Sequence, residues 1–276
     1  MDAATLVQEG RPREALAALE QEVRAQPAEA RHRLFLFQLL SILGDWDRAA
    51  TQLQVAAELD ASMLVLANVY RSAIRTELLR QEVFAARRSP LILGEPDPWV
   101  GDMLESLRAL AEGKHDLALS LRDRALERAP AAGGEVTIGA ADPVPFEWLA
   151  DCDSRLGPIA ELILEGRYYW VPLSRVRTIT FQAPTDLRDL VWLPCDVVWT
   201  NGGDASALMP ARYPRVDAAT DEALLMSRQT QWEEPHEGYL VGQGTRVLVT
   251  DADEAAILDV REIRFDHPDE PQADGG

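Results

Sequence analysis

Three glycine-centred segments repeat along the first half of the chain. Gly10-Arg11-Pro12-Arg13-Glu14-Ala15-Leu16 aligns with Gly44-Asp45-Trp46-Asp47-Arg48-Ala49-Ala50, and again with Gly113-Lys114-His115-Asp116-Leu117-Ala118-Leu119. The first two glycines lie 34 positions apart and the third follows 69 later, about twice that step. At each site glycine can close one helix in the left-handed conformation, and the polar residues behind it can start the next. The alanine five positions on lets the two helices approach closely. Pro27 and Pro130 each fall 17 positions after their glycine, where the second helix must stop, and Asp60-Ala61 holds that place in the middle unit. A period of this length predicts stacked helical hairpins, each burying its apolar face against the next.

The apolar spacing agrees. Leu16, Leu19 and Val23, then Leu36, Leu39, Leu40 and Leu43, then Leu53, Val55, Ala56 and Leu59 recur at three and four residues, as packing faces of helices do. From Ser62 to Arg88 no glycine or proline intervenes, so one longer helix is predicted and the array is irregular. It resembles tetratricopeptide domains and departs from them at Phe37, where a small residue is expected. Stacked pairs leave a concave surface suited to a peptide or a partner helix; the plainer alternative is a bundle that only supports its neighbour.

After Pro130, Ala131-Ala132-Gly133-Gly134 and then Pro143 and Pro145 break the helical period. Strands are predicted at Tyr168–Val171, Val176–Phe181, Val197–Thr200, Tyr239–Val241, Arg246–Thr250 and Ile257–Val260, with turns at Asn201-Gly202-Gly203 and Asp251-Ala252-Asp253. Short helices are predicted at Ile159–Leu164 and Ala218–Gln229. The expectation is an α+β chain of two domains: tetratricopeptide-like helical repeats over residues 1–130, a mixed α+β domain over 131–265, and a disordered acidic tail over 266–276.

The formal charge is −19, which argues against nucleic acid or anionic lipid as partner. The acid is concentrated late: residues 1–140 carry 16 basic and 21 acidic side chains, net −5, and residues 141–276 carry 11 and 25, net −14. Cys152 and Cys195 are the only cysteines, no charged leader precedes an apolar core, and the apolar run Met63–Tyr70 is too short to span a membrane. These features point to a cytoplasmic protein with two buried thiols. His32, His115, His236 and His267 stand apart, so no metal site is expected. Gly242-Gln243-Gly244 lacks the third glycine of a dinucleotide loop and reads as part of a tight hairpin, and Lys114, the one lysine, belongs to no phosphate loop. No cofactor is expected.

The most specific signal is a run of rare residues. It comprises Phe146-Glu147-Trp148-Leu149-Ala150-Asp151-Cys152-Asp153-Ser154-Arg155-Leu156-Gly157-Pro158, then Glu165-Gly166-Arg167-Tyr168-Tyr169-Trp170-Val171-Pro172, Pro184 with Leu187-Arg188-Asp189-Leu190-Val191-Trp192, and Met209-Pro210-Ala211-Arg212-Tyr213-Pro214. It closely resembles the ImpE/SciE/TagJ family of type VI secretion accessory proteins, most strongly over residues 145–215. The resemblance implies a non-enzymatic protein that binds the small contractile-sheath subunit through that subunit's N-terminal helix and influences sheath handling by the AAA+ disassembly ATPase. It brings no catalytic residue. The motif residues Trp148, Asp151, Asp153, Arg155, Tyr169, Trp170, Pro172, Asp189, Trp192, Arg212 and Tyr213 are the candidates for partner binding. Two rivals remain: a helical-repeat adaptor unconnected with secretion, and an enzyme in which Asp151 and Asp153 act as an acid/base pair beside Arg155. The cheaper reading of that triplet is a structural ion pair in a turn, and of Arg188 and Asp189 a hydrogen-bonding role at a helix end. Tryptophan in the acidic half is expected mainly in the core, with the Trp170–Pro172 and Trp192–Pro194 neighbourhoods bordering a recognition surface.

Overall fold

In a computed structural model that describes residues 2–214 and 221–267, Gly10, Gly44 and Gly113 all take the left-handed conformation, with φ of 78°, 75° and 72°. Each joins two helices: α1 (Ala3–Gln8) to α2 (Pro12–Ala25), α3 (Ala30–Leu43) to α4 (Trp46–Leu59), and α6 (Pro98–Ala111) to α7 (His115–Arg128). Pro12 occupies the first turn of α2, where its missing N–H costs nothing, and the Asp45 carboxylate caps α4 by accepting from the Arg48 N–H. Ala15, Ala49 and Ala118 are fully buried where the helices cross. Between the second and third hairpins runs α5 (Leu64–Phe84), the longest helix.

The strands follow as β1 (Leu91–Ile92), β2 (Gly134–Ile138), β3 (Val144–Phe146), β4 (Leu149–Asp151), β5 (Ile159–Leu164), β6 (Arg167–Pro172), β7 (Val176–Phe181), β8 (Trp192–Trp199) and β9 (Asp204–Pro210). After the short helix α8 (Glu222–Leu225) come β10 (Thr230–His236), β11 (Tyr239–Gly244), β12 (Val247–Thr250), β13 (Glu254–Ala256) and β14 (Val260–Phe265). Nine of them form one sheet in the order β1-β6-β5-β9-β8-β7-β14-β2-β3. It is antiparallel except where β1 runs parallel to β6. The strands β13, β12 and β4 make a small second sheet, and β10 and β11 a hairpin. The chain is thus α+β, with α1 to α7 ahead of every strand but β1, and α8 between β9 and β10.

The two regions share a core. On one face of the large sheet, Leu162, Val171, Ile179, Leu193 and Val197 meet Leu149, Leu248 and Ile257 from around the small sheet. On the other face, Ile163, Trp192 and Leu208 pack among Phe37, Leu40, Trp46, Leu53 and Tyr70 of the helices. Trp192 sits in an aromatic chain, its ring centroid 5.8 Å from that of Trp46 and 5.7 Å from that of Tyr70.

Several sequence expectations need correction. Ile159–Leu164 is a strand, not a helix. It is buried on both faces, with alternate residues entering the two cores, so it reads as a continuous apolar run with no period to separate strand from helix. Of the helix expected over Ala218–Gln229, only α8 forms, and residues 218–220 lie outside the described residues. Ile257–Asp259 is a turn, and the strand there starts at Val260. The hairpin turn between β10 and β11 uses Gly238, with φ of 78°, and not the Gly242–Gly244 pair. A Cβ on Gly242 would stand 2.3 Å from the Tyr213 ring, so that glycine serves a close crossing of ring and strand. Leu59, expected in a packing face, is exposed. At the C-terminus Asp266 donates its N–H to the Gly133 carbonyl and His267 Nε2 donates to the Val176 carbonyl, so the sheet region extends into the expected tail. Residues 268–276 lie outside the described residues.

The burial of Ala49 between α3 and α4 yields a packing test. Ala49→Trp should overpack the second hairpin at a cost of about 1–3 kcal/mol. A thermal melt read by circular dichroism should show the midpoint lowered by several degrees, and an unchanged midpoint would contradict the hairpin register.

Candidate functional site

At the centre of the shared core lies a charge network that the sequence did not announce. Glu161 is the one ionisable residue of β5, and its carboxylate is fully buried. Arg80, reaching down from α5, grips it with two bonds, Nε to Oε1 at 2.6 Å and Nη2 to Oε2 at 2.8 Å. Arg246 donates to Oε2 from the opposite side, and the Tyr168 hydroxyl donates to Oε1. Trp170 Nε1 then donates to the Tyr168 oxygen at 2.8 Å. Burial alone would push the Glu161 carboxyl up, but two guanidinium groups outweigh it and hold the pKa down to about 2.

The family-motif residues attach to this centre. Arg246 Nη1 donates to Asp151 Oδ2 at 2.5 Å, and the Tyr213 hydroxyl donates to Asp151 Oδ1 at 2.8 Å. Here burial wins over Arg246 and pushes the Asp151 carboxyl up to about 6. The Asp153 N–H donates to Asp151 Oδ1, and the Asp153 carboxylate in turn accepts from its own turn at Arg155 N and from Arg155 Nε at 2.8 Å. It also accepts from the Gly242 N–H at 2.8 Å, which ties the turn to β11. The Arg155 guanidinium lies 4.8 Å from the centroid of the Phe84 ring at the end of α5. Asp151, Asp153 and Arg155 therefore form a buried turn with its charges engaged inside the fold.

Arg212 addresses the helices. Its Nη1 donates to the Ile42 carbonyl at 2.9 Å and to the Leu225 carbonyl at 2.7 Å, and its Nη2 to the Ser41 carbonyl at 3.3 Å. Ile42 and Ser41 belong to the last turn of α3, where carbonyls lack intrahelical partners and the helix dipole is negative. Arg228 does the same for α1, donating to the Gln8 carbonyl at 2.7 Å. Two hairpin turns are thus capped by arginines from the far end of the chain. Arg80 closes the loop by donating to the Arg212 carbonyl at 2.7 Å, and Trp192 Nε1 donates to Glu77 of α5 at 3.0 Å.

The remaining candidates divide by position. Trp170 and Trp192 are fully buried, and the buried Pro172 ends β6. Asp189 accepts from the N–H groups of Thr185 and Asp186 and completes a capping box on the turn of 3-10 helix at Leu187–Leu190. Arg188 donates to the Tyr70 hydroxyl at 3.0 Å. Tyr169 is half-buried, and only Trp148, 41% exposed at the β3–β4 turn, presents a large surface to solvent. Cys195 is buried and Cys152 half-buried; burial pushes each thiol up to about 12, away from reactivity at neutral pH.

Arg80, Glu161, Arg246 and Glu77 were missed by sequence reading. The available signal was Glu161 itself, a lone acid inside Ile159–Leu164, since a charge within a buried run demands a partner. Among the described residues no group of three or more His, Cys, Asp or Glu side chains is placed to hold a metal, and no helix is long and apolar enough to cross a membrane.

Glu161→Gln should leave Arg80 and Arg246 poorly compensated and cost about 3–5 kcal/mol in urea unfolding at pH 7. The two acids give opposite pH dependences. Glu161 sits below its unfolded value of 4.5, so its contribution is complete above that pH and drains as pH falls toward about 2. Asp151 sits above its unfolded value of 3.8, so its contribution is present below that pH and is lost as pH rises through about 6. Asp151→Asn should therefore cost less than Glu161→Gln at pH 7 and flatten the stability profile between pH 4 and 6. Equal losses for the two variants would contradict this assignment.

The chain is similar to known proteins at two levels. Residues 143–264 match the family described as ImpE protein. The chain is 48% identical, over 269 residues covering 98% of it and 92% of the relative, to the type VI secretion system accessory component TagJ of Pseudomonas aeruginosa. Its fold matches the crystal structure of protein VPA1032 from Vibrio parahaemolyticus with a TM-score of 0.85 at 23% identity, covering 96% of this chain and 98% of that one. The buried Asp151–Tyr213 network lies inside the matched ImpE segment, and with 48% identity across nearly the whole of both chains the chain belongs to the ImpE/TagJ family.

Proposed function

We propose that this protein is a non-enzymatic accessory component of a type VI secretion system, acting in the cytoplasm. In this reading it binds the small contractile-sheath subunit through that subunit's N-terminal helix and modulates sheath assembly or its disassembly by the AAA+ ATPase. The observation that carries the reading is the 48% identity, across nearly the whole of both chains, to a protein described as an accessory component of that system. Family membership also disfavours the unrelated repeat adaptor.

The geometry supports a binding role over the enzyme alternative. Asp151, Asp153 and Arg155 are buried and bonded to one another, to Arg246, to Tyr213 and to backbone groups, an arrangement that rigidifies a fold. Stacked helices fused to a sheet offer grooves at the layer boundary, and an amphipathic helix in such a groove gains affinity from apolar anchors at helical spacing.

Isothermal calorimetry of the intact chain against a synthetic peptide of the small sheath subunit's N-terminal helix tests this. A single site with a dissociation constant of roughly micromolar order is expected. Absence of heat at concentrations a hundredfold higher would overturn the partner assignment.

A further inference from the structure

The helical layer stops short of covering the large sheet. Over β8 and β9, Trp192 and Leu208 lie under the helices. Farther along the same face, Pro194, Asp196 and Ser206 line an open groove rather than packing under the described helices. Pro194 pairs with Leu208 and Asp196 with Ser206 across the two strands, so these side chains share the helix-facing side. They floor a groove of about 550 Å³, walled on one side by Asn68, Val69 and Ser72 of α5 and closed at one end by the Glu165-Gly166 turn.

The α5 wall continues beyond the groove as an apolar stripe. Leu64, Val65 and Val69 are 50%, 77% and 46% exposed. Positions 65, 69 and 72 follow one another at four and three residues, so they form a single face on a helix. That face spans about 10.5 Å at 1.5 Å per residue. Exposed valines on a helix that elsewhere packs into a sheet core are a place where the next element of a layer would lie. Among the described residues the groove is lined by two carboxylates, Glu165 and Asp196, and by no lysine or arginine.

We infer that this groove is the docking site for an amphipathic partner helix with a basic flank, which lies beside α5 on β8 and β9 with its apolar residues against Val65, Val69 and Pro194. The inference rests on the helix-binding reading above and adds where the helix lies and what chemistry selects it. Apolar contact supplies the anchors, and the carboxylates of Glu165 and Asp196 select the charge. The chain's own residues 268–276 carry three acids and no base, so charge sets them against this role.

The test compares the intact chain with Val69→Glu, Asp196→Lys and Ser206→Trp, each at an exposed or groove-lining position remote from the charge network. Three peptides are titrated by fluorescence anisotropy: the N-terminal helix of the small sheath subunit, a designed helix with leucine at i, i+3, i+4 and i+7 and lysine flanks, and the same design with glutamate flanks. The expected result is that the lysine-flanked helix binds at least tenfold more tightly than the glutamate-flanked one. Each variant should weaken it at least tenfold with an unchanged melting temperature, and the sheath peptide should be lost in parallel. Binding of the lysine-flanked helix with groove-dependent loss, but none of the sheath peptide, would keep the groove and discard the sheath partner. Sheath peptide binding unaffected by all three variants would keep the partner and overturn the groove. No binding of either basic or sheath peptide, or a dimer in sedimentation that Val69→Glu abolishes, would also overturn it.

Discussion

A carboxylate held between two arginines organises this molecule. Glu161 projects from the middle of the large sheet into a region closed to water, and a single ion there is costly unless its charge and lone pairs are satisfied. Arg80 satisfies it from α5 and Arg246 from the start of the small sheet region, so one buried acid joins three parts of the chain that are far apart in sequence. Breaking any arm leaves a charge uncompensated, which makes the arrangement specific as well as stabilising. Arg212 and Arg228 extend the logic outward by satisfying carbonyls at the ends of α3 and α1. Helix hairpins and sheet are therefore coupled by hydrogen bonds that only one relative placement can make.

This coupling bears on function. A helical layer fixed to a sheet has a defined boundary, and the open strip beside α5 is rigidly shaped by elements whose positions the network sets. The groove's Pro194 belongs to the same strand as Trp192, which is locked to α5 through Glu77. Residues of the family motif that looked available for partner binding, above all Asp151, Asp153, Arg155 and Arg212, are inside the fold and shape surfaces they do not themselves present.

The helical half was legible because glycine, proline and alanine carry local constraints. A left-handed turn at Gly10, Gly44 or Gly113 and a close crossing at Ala49 are dictated by residues a few positions apart. The sheet was legible where one face meets water, as in β7, where Thr178 and Thr180 alternate with Ile179 and Phe181. It was illegible at β5, where both faces are buried and the alternation vanishes, and at β9, whose small residues carry little strand preference. The motif was visible as a run of rare residues, but its partners Arg80, Glu161 and Arg246 look ordinary one at a time. Their role exists only through contacts that span 81 and 85 positions in the chain.

Native-state hydrogen exchange, resolved by residue across α5 and β5, addresses the central claim most directly. If Glu161 welds helix to sheet, the amides around Arg80 and those around Glu161 will open with the same free energy, equal to that of global unfolding. Opening of the Arg80 turn of α5 at a markedly lower free energy than β5, with the sheet still protected, would contradict the account.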